Sequence, residues 1–385
     1  MNILIVSQPA RDGVLRHVGG LVDFLLSQGD RVHLAYSDLA ASDQLHALVD
    51  RVRSAGGACL NLAVGNAPHP RDVSAVLGLH SLIRRERPDV IHAHSSKAGA
   101  LVRGLGLLGL PTPLFYTPHS YYRMHDTKCR KVRAFHALER IFSRVGTTIT
   151  MSHCEAKFAE RVIGVPSSRK RVIANGVDFG TFRPPAAEDR RELRARFGLP
   201  LDAKILGSVG RFSLQKDPLS MYAAFARVAL DMPEVHFAHL GQGELEPEVD
   251  ALIAAHGIAD RCHRLPYLDD TAPFYRVLDG FLLTSLYEGM SYAVLEALAS
   301  NLPLILTRAP GNRDFGGHEI SHLGWCEPGN VTSIAAAIVA WRQTLDLPEA
   351  PNHRAIASAR FSLEVCFPAV REAYRGALSP AAGAP

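Results

Sequence analysis

Gly280-Phe-Leu-Leu-Thr284, followed three residues later by Glu288-Gly-Met-Ser-Tyr-Ala-Val-Leu-Glu296, decides how this chain folds. The first run is apolar and strand-like. The second opens into a helix-like run in which Leu295, Leu298 and Leu302 fall at helical spacing. Glu288 therefore belongs to a strand-to-helix loop. Glu296 belongs about two turns into the helix, roughly 10 Å further on at ~1.5 Å per residue. That distance matches the two ends of an extended ligand. The small residues Gly289, Ser291 and Ala293 let a ligand approach the helix N-terminus, where unpaired N–H groups and the dipole favour anions.

The same strand-then-helix alternation runs through the chain twice. In the first half the strand candidates are Ile3–Val6, Val32–Ala35, Ala58–Leu62, Val90–Ala93, Leu114–Thr117, Thr147–Thr150 and Arg171–Ile173. Helix-length segments lie between most of them, such as Val14–Ser27, Val73–Arg87 and Ser152–Val162. Then Phe182-Arg-Pro-Pro-Ala-Ala-Glu-Asp breaks the pattern and leads into a charged helix, Asp189–Phe197. A second series follows: Ile205–Val209, Val235–Leu240, His263–Leu265, Gly280–Leu283 and Leu304–Leu306, with helices Pro218–Leu230 and Leu245–His256 between. Such alternation implies parallel strands joined by crossover helices. The expected domains are 1–184 and 185–364, with a C-terminal helix at about 365–378 that can pack back on the first. The tail Ser-Pro-Ala-Ala-Gly-Ala-Pro is expected to be disordered.

The 385 residues are 47% hydrophobic and 21% charged, which fits full-sized globular cores. The N-terminus lacks the basic n-region of a signal peptide. No window of about 20 residues is apolar enough to span a bilayer. Six cysteines without a CxxC pair fit a reduced, cytoplasmic chain. Charge divides by half: residues 1–184 carry 24 Lys+Arg against 14 Asp+Glu, and residues 185–385 carry 18 against 24. The basic half suits an anionic lipid surface or a phosphate-bearing substrate, and equally a solvated surface.

Several turns carry chemistry. After Ile205-Leu-Gly-Ser-Val-Gly210 comes Arg211-Phe-Ser-Leu-Gln-Lys216-Asp-Pro. Gly210 permits a tight turn, and Arg211 and Lys216 bring two cations to the start of a helix. That pattern suits a diphosphate, or plain surface cations. Gly241-Gln-Gly243 lacks the third glycine of a dinucleotide fingerprint. In the first half, Gly13 reads as a strand-to-helix turn able to bring backbone close to a ligand. His92 and His94 are spaced to ligate a metal, but no third ligand is evident in the sequence, and hydrogen-bonded structure is the default for at least one of them. His119 ends another strand. Asp178, after the turn Asn175-Gly176, is a site acid or a cap. Between Tyr121 and Arg144, Arg123, Lys128, Arg130, Lys131 and Arg133 crowd together with interleaved aromatics. A basic amphipathic helix of this kind can lie on an anionic bilayer or be an ordinary surface helix.

Taken together these segments resemble the GT-B glycosyltransferases of family 4, the "group 1" retaining enzymes. The elements in order are Gly13, His119, Asn175-Gly-Val-Asp178, Val209-Gly-Arg211 with Lys216, Gly241-x-Gly243, and Glu288-x7-Glu296. His92-Ala-His-Ser-Ser-Lys-Ala-Gly and Pro310-Gly-Asn-Arg-Asp314 look like bacterial capsule, exopolysaccharide and O-antigen transferases. The resemblance implies an α/β protein of two Rossmann-like doubly wound domains facing a cleft, the second binding a nucleotide-sugar donor. It implies a diphosphate on Arg211 and Lys216 with Gly210, a ribose on Glu296, and a donor-sugar hydroxyl on Glu288. The amides of Gly289, Met290 and Ser291 would support sugar or phosphate, Gly13 would line the donor site, and His119 would lie over the sugar. It further implies retention of configuration, no cofactor and no required metal ion. Two features depart from the family: Met290-Ser-Tyr replaces a small-Pro pairing, and Pro310–Asp314 replaces a Gly-Gly-x-x-Glu loop, with Asn312 and Arg313 as candidates for its role.

The expectation is a peripheral enzyme of the cytoplasmic face of the inner membrane. It would pass a sugar from a UDP-sugar to a polyprenyl-diphosphate-linked or glycan acceptor, with no nucleic-acid partner. A nucleotide-sugar epimerase of the same architecture and a non-catalytic sugar-binding protein are the alternatives. The glutamates are expected to position ligand rather than act as a general acid/base couple.

Overall fold

A computed structural model describes residues 1–8, 12–39, 42–124, 126, 128–266, 268–316, 320–347 and 351–379. The chain divides into two compact units. Unit 1 is Met1–Gly176 with the segment from Leu363 onward, and unit 2 is Val177–Ser362.

Unit 1 is built on a seven-stranded sheet: β1 (Asn2–Ser7), β2 (Arg31–Tyr36), β3 (Cys59–Asn61), β4 (Val90–His94), β5 (Leu114–Thr117), β6 (Thr147–Thr150) and β7 (Lys170–Val172). The order is β3-β2-β1-β4-β5-β6-β7, parallel throughout. Both faces of β1 are covered, so Ile3, Leu4, Ile5 and Val6 are all buried and the strand reads as a continuous apolar run. The helix Asp12–Ser27 sets Leu15, Val18, Leu21, Val22 and Leu25 against Ile3 and Ile5. Each such side chain contributes about 1.5–3 kcal/mol on full burial.

Unit 2 repeats the plan with β8 (Lys204–Val209), β9 (Val235–Leu240), β10 (Cys262–Leu265), β11 (Gly280–Leu283), β12 (Leu304–Thr307) and β13 (Leu323–Cys326). Its order is β10-β9-β8-β11-β12-β13, again parallel. The helix Pro218–Ala229 starts where the Asp217 side chain accepts from the Ser220 amide and proline occupies the first turn. Its Met221, Tyr222, Phe225 and Val228 fill the core with Leu206, Phe237 and Trp341.

In both sheets the order reverses beside the first strand, between β1 and β4 and between β8 and β11. Loops leaving a pair of strands at such a reversal diverge to opposite faces and leave a crevice at the carboxyl edge, the usual ligand position in open α/β sheets.

Some expectations change. The division falls between Gly176 and Val177 rather than after residue 184, because the Val177 amide already bonds to the Phe361 carbonyl of unit 2. The C-terminal helix, expected at about 365–378 and able to pack back on the first domain, spans Leu363–Leu378 and does so: Phe367, Val370 and Tyr374 enter the core of unit 1, and Arg371 Nε donates to the buried Asp30 at 2.7 Å. Strand β13 was absent from the sequence reading. It is a four-residue edge strand with three half-buried positions, too short and too mixed to show a period. Gly13 lies in the first turn of the helix Asp12–Ser27, not in the turn before it, and residues 9–11 are outside the described residues. So is the tail 380–385.

Candidate functional site

The carboxyl edge of unit 2 holds an ion pair. Lys216 follows β8 and Glu288 follows β11, so the reversal in strand order brings together residues far apart in sequence. Lys216 Nζ donates to Glu288 Oε1 at 2.6 Å. Ser285 Oγ donates to the same oxygen at 2.7 Å, and Gln215 Nε2 reaches Oε2 at 3.4 Å. Glu288 is 6% exposed, so this carboxylate is a buried charge that these donors offset. Lys216 has three N–H donors, of which Glu288 takes one. The ammonium is thus aimed, with donors left to meet an anion.

The backbone around the pair is fixed. Thr284 Oγ1 donates to the Lys216 and Asp217 carbonyls at 2.9 and 3.1 Å, and the Leu286 amide donates to the Gln215 carbonyl at 2.8 Å. The loop Pro310–Asp314 lies against the Glu288 backbone, whose amide donates to the Pro310 carbonyl at 2.9 Å. Gly311 makes that approach possible: its φ is +88°, and a Cβ there would stand 2.2 Å from the Glu288 carbonyl oxygen. In the same loop Asn312 is fully buried and donates to the Thr307 carbonyl at 3.2 Å. Arg313 is exposed, with its Nε on the Arg308 carbonyl.

The helix after Glu288 begins at Tyr292, with Ser291 as its cap residue. Glu296 is thus a little over one turn in, not two. It is 1% exposed and accepts from Thr271 Oγ1 at 3.4 Å. Gly289, Met290 and Ser291 are buried beside it. Arg211 is exposed on the bend after β8. The carbonyl of Gly210 accepts from His239 Nε2 at 3.0 Å, which fixes the tautomer of that imidazole. His239 stacks on Phe212, and burial brings its pKa down from 6.5 to about 4.

The carboxyl edge of unit 1 holds imidazoles instead. His17 on the helix Asp12–Ser27, His94 at the end of β4 and His119 after β5 converge there. His94 Nδ1 and His119 Nε2 are 3.0 Å apart, and the ring of His17 lies 5.3 Å from that of His94 and 5.0 Å from that of His119. Burial holds the pKa of His17 at about 4, against a side-chain hydrogen bond with Asn175 that favours its charged form. Burial and the neighbouring imidazoles keep His94 and His119 well below 6.5. His92 is the structural member, hydrogen-bonded to Tyr374 Oη at 2.6 Å and to Thr117 Oγ1 at 2.9 Å.

The loop carrying His119 is strained. His119 and Ser120 have φ of +55° and +84°, costly for residues with a Cβ. Fully buried Glu155 holds it: its carboxylate accepts from the Ser120 amide and from the Met151 amide, each at 2.8 Å. Asp178, by contrast, is a turn cap, accepting from the Gly180 amide at 2.7 Å and from Thr181 Oγ1 at 2.6 Å.

On the helix Arg130–Ile141, Val132, His136 and Glu139 face inward. Lys128, Arg130, Lys131 and Arg133 are exposed, as are Tyr122, Leu138 and Ile141. Arg123 pairs with Asp126 at 3.1 Å. No helix among the described residues is long and apolar enough to cross a membrane.

Ser285, Gln215, Thr271, His239 and Glu155 escaped the sequence reading. Only Gln215, next to Lys216, stood in a stretch already singled out. His17 carried no signal until the sheet order set β1 beside β4.

Residues 11–180 match the family model described as Glycosyltransferase Family 4, and residues 189–357 match that described as Glycosyl transferases group 1. The chain belongs to the group 1, family 4 glycosyltransferases. The UDP-Gal:alpha-D-GlcNAc-diphosphoundecaprenol alpha-1,3-galactosyltransferase of Escherichia coli is 30% identical over 250 residues, 63% of each chain. The lipopolysaccharide core biosynthesis glycosyltransferase LpsE of Rhizobium meliloti is 28% identical over 240 residues, 62% of this chain and 61% of that one. These matches thus span about three-fifths of the length of each curated relative. The crystal structure of Anabaena Alr3699/HepE in complex with UDP and glucose superposes with a TM-score of 0.78 at 19% identity, covering 97% of this chain and 99% of that one. That likeness shows the two-domain GT-B fold.

Proposed function

We propose that the protein is a retaining glycosyltransferase of cell-surface polysaccharide synthesis. It moves a sugar from a nucleotide-sugar donor, a UDP-sugar, to a polyprenyl-diphosphate-linked or other glycan acceptor. The observation that carries this reading is the buried Lys216–Glu288 pair at the strand reversal of unit 2, with Glu296 one helical turn beyond. When the bond from the anomeric carbon to the diphosphate breaks, negative charge grows on the departing oxygens. A preorganised ammonium beside them lowers that barrier without solvent reorganisation. In this reading Lys216 and Arg211 meet the diphosphate, Glu296 accepts from the ribose hydroxyls, and Glu288 aims Lys216 and offers Oε2 to a sugar hydroxyl. Two carboxylates on one loop and helix, both tied to protein donors, act as positioning groups. No metal ion is required for turnover. The donor and acceptor named for the Escherichia coli relative support the choice of UDP-sugar and lipid-linked acceptor.

The exposed basic and apolar residues of the segment 122–141 support peripheral contact with an anionic, cytoplasmic-side bilayer surface. Vesicle flotation with and without anionic lipid at low salt tests this part. A protein that stays with the soluble fraction in both cases removes it.

The central test is a thermal-shift screen of nucleoside diphosphates and nucleotide sugars on the full chain, followed by nucleotide release with lipid-linked acceptors. Stabilisation by UDP and one UDP-sugar, with UDP released only when acceptor is present, is expected. Conversion of a UDP-sugar without acceptor points to an epimerase. Binding without release in any acceptor mixture points to a binding protein.

A further inference from the structure

Three imidazoles from three different elements meet at the carboxyl edge of unit 1. One ligand nitrogen from each of His17, His94 and His119 lies within 4.8 Å of the other two. The closest pair, His94 Nδ1 and His119 Nε2, is 3.0 Å apart. Nitrogens bound at about 2.0–2.1 Å to one tetrahedral ion stand roughly 3.3 Å apart. Small rotations of the rings therefore reach coordination distance, and no backbone has to move far.

The setting favours a site over chance crowding. His17 is 5% exposed and His94 fully buried, while His119 is half-buried and leaves one side open. That is the three-ligand, one-open-position form of an accessible metal centre. Asn175, 1% exposed, hydrogen-bonds to His17 and orients its ring as an outer-shell partner does. His92, although stacked 4.0 Å from His94, has both nitrogens committed to Tyr374 and Thr117 and is not a fourth ligand. Ser95, His119 and Ser120, all with positive φ, hold the loops that present two of the three rings.

We propose that His17, His94 and His119 form a binding site for one borderline divalent transition-metal ion, Zn2+ being the representative. An all-imidazole set of this kind selects Zn2+, Co2+, Ni2+ or Cu2+ over the oxygen-seeking Mg2+ and Ca2+. Metal binding stands on this geometry alone. Its consequence rests on the function proposed above and on the role that the family resemblance implies for His119: an ion that occupies this imidazole withdraws it from that role. The site is then an inhibitory one on an enzyme that turns over without metal.

The test titrates Co2+ into the chelator-treated full-length protein and follows the visible absorption of four-coordinate cobalt, then displaces it with Zn2+. One equivalent bound with micromolar affinity is expected, with Mg2+ failing to compete at a thousandfold excess. His17→Ala and His119→Gln should each weaken binding at least tenfold, whereas His46→Ala, on the helix Asp43–Ser54 away from the cluster, should not. Zn K-edge spectroscopy on the wild-type complex needs no variant and should show three imidazoles. Fewer than two imidazoles, or unchanged affinity in a folded His17→Ala protein, overturns the proposal. In the transferase assay one equivalent of Zn2+ should lower the rate at least tenfold, and His17→Ala should be far less sensitive relative to its own metal-free rate. Metal binding in a protein that transfers no sugar would refute the proposed function and leave the metal site standing. Full activity with the site loaded would refute the inhibition.

Discussion

The two carboxyl edges of this molecule share a topology and differ in charge. In unit 1 the reversal between β1 and β4 is filled by His17, His92 and His94, with His119 from the next strand, and burial keeps all four imidazoles neutral near pH 7. In unit 2 the reversal between β8 and β11 is filled by an ammonium and a carboxylate 2.6 Å apart. The sheet decides where side chains converge, and the residues decide what field they make there. A neutral, polarisable wall and a fixed ion pair present different fields to a ligand: the first suits an uncharged group, the second an anion.

The largest effect should come from breaking the ion pair. Lys216→Met should lower kcat about 10²–10³-fold, the usual loss when a preorganised donor to developing charge is removed. It should also cost roughly 3 kcal/mol, because Glu288 is left buried with only Ser285 and Gln215 to serve it. The double variant Lys216→Met/Glu288→Gln should recover most of the stability and none of the activity. If the double variant transfers sugar at the wild-type rate, the pair is scaffolding.

Next is the strained loop of unit 1. Glu155→Gln replaces one accepting oxygen with an amide that must face a backbone N–H, at a cost of about 1–3 kcal/mol. Hydrogen exchange at Ser120 and Met151 should quicken while amides of unit 2 stay unchanged. Uniform loss of protection in both units would argue that Glu155 supports global stability rather than this loop.

Acid should separate the two edges more gently. An unfolded imidazole takes its proton below about 6.5, whereas folded His17 and His239 take theirs only at about 4. The unfolded state therefore binds more protons between those values. Stability is full above about pH 6.5 and falls as pH drops toward 4, by about 2 kcal/mol per such imidazole at pH 5. The charged groups acting on His239 are Arg264 and Lys216, both opposing its protonation. Unit 1, with buried His17, His92 and His94 and half-buried His119 at one edge, should lose exchange protection at a higher pH than unit 2. Equal losses in the two units at pH 5 would contradict the comparison.

The smallest change is Ser285→Ala, which trims one of three donors from Glu288. A loss near 1 kcal/mol in stability, with a few-fold rise in KM for the donor, is expected. An unchanged KM would separate Ser285 from ligand binding.

Much of this architecture was legible along the chain. Strands such as Ile3–Val6 and Gly280–Leu283 announce themselves as apolar runs, since a strand buried on both faces admits little else. Strand β13, Leu-Gly-Trp-Cys at an edge, carries no such run. The site was half legible. Lys216 and Glu288 sit in turns that read as ligand loops, with Glu296 on the helix that follows, but 72 positions separate Lys216 from Glu288, and only the adjacency of β8 and β11 reveals them as a pair. The meeting of His17 with His94 and His119 likewise depends on which strands are neighbours, a property of the folded sheet. Asn312, a candidate from the sequence for the role of the loop glutamate, is buried and donates to the Thr307 carbonyl.

The helix Leu363–Leu378 has a consequence for the order of events during synthesis. Every residue of unit 2 precedes it, yet it supplies Phe367, Val370 and Tyr374 to the core of unit 1 and the hydroxyl that holds His92. A growing chain therefore has the whole of unit 2 available to fold while unit 1, begun first, still waits for its last helix. The older half of the chain is the later half to be finished, and its imidazole wall takes final shape only when that helix arrives.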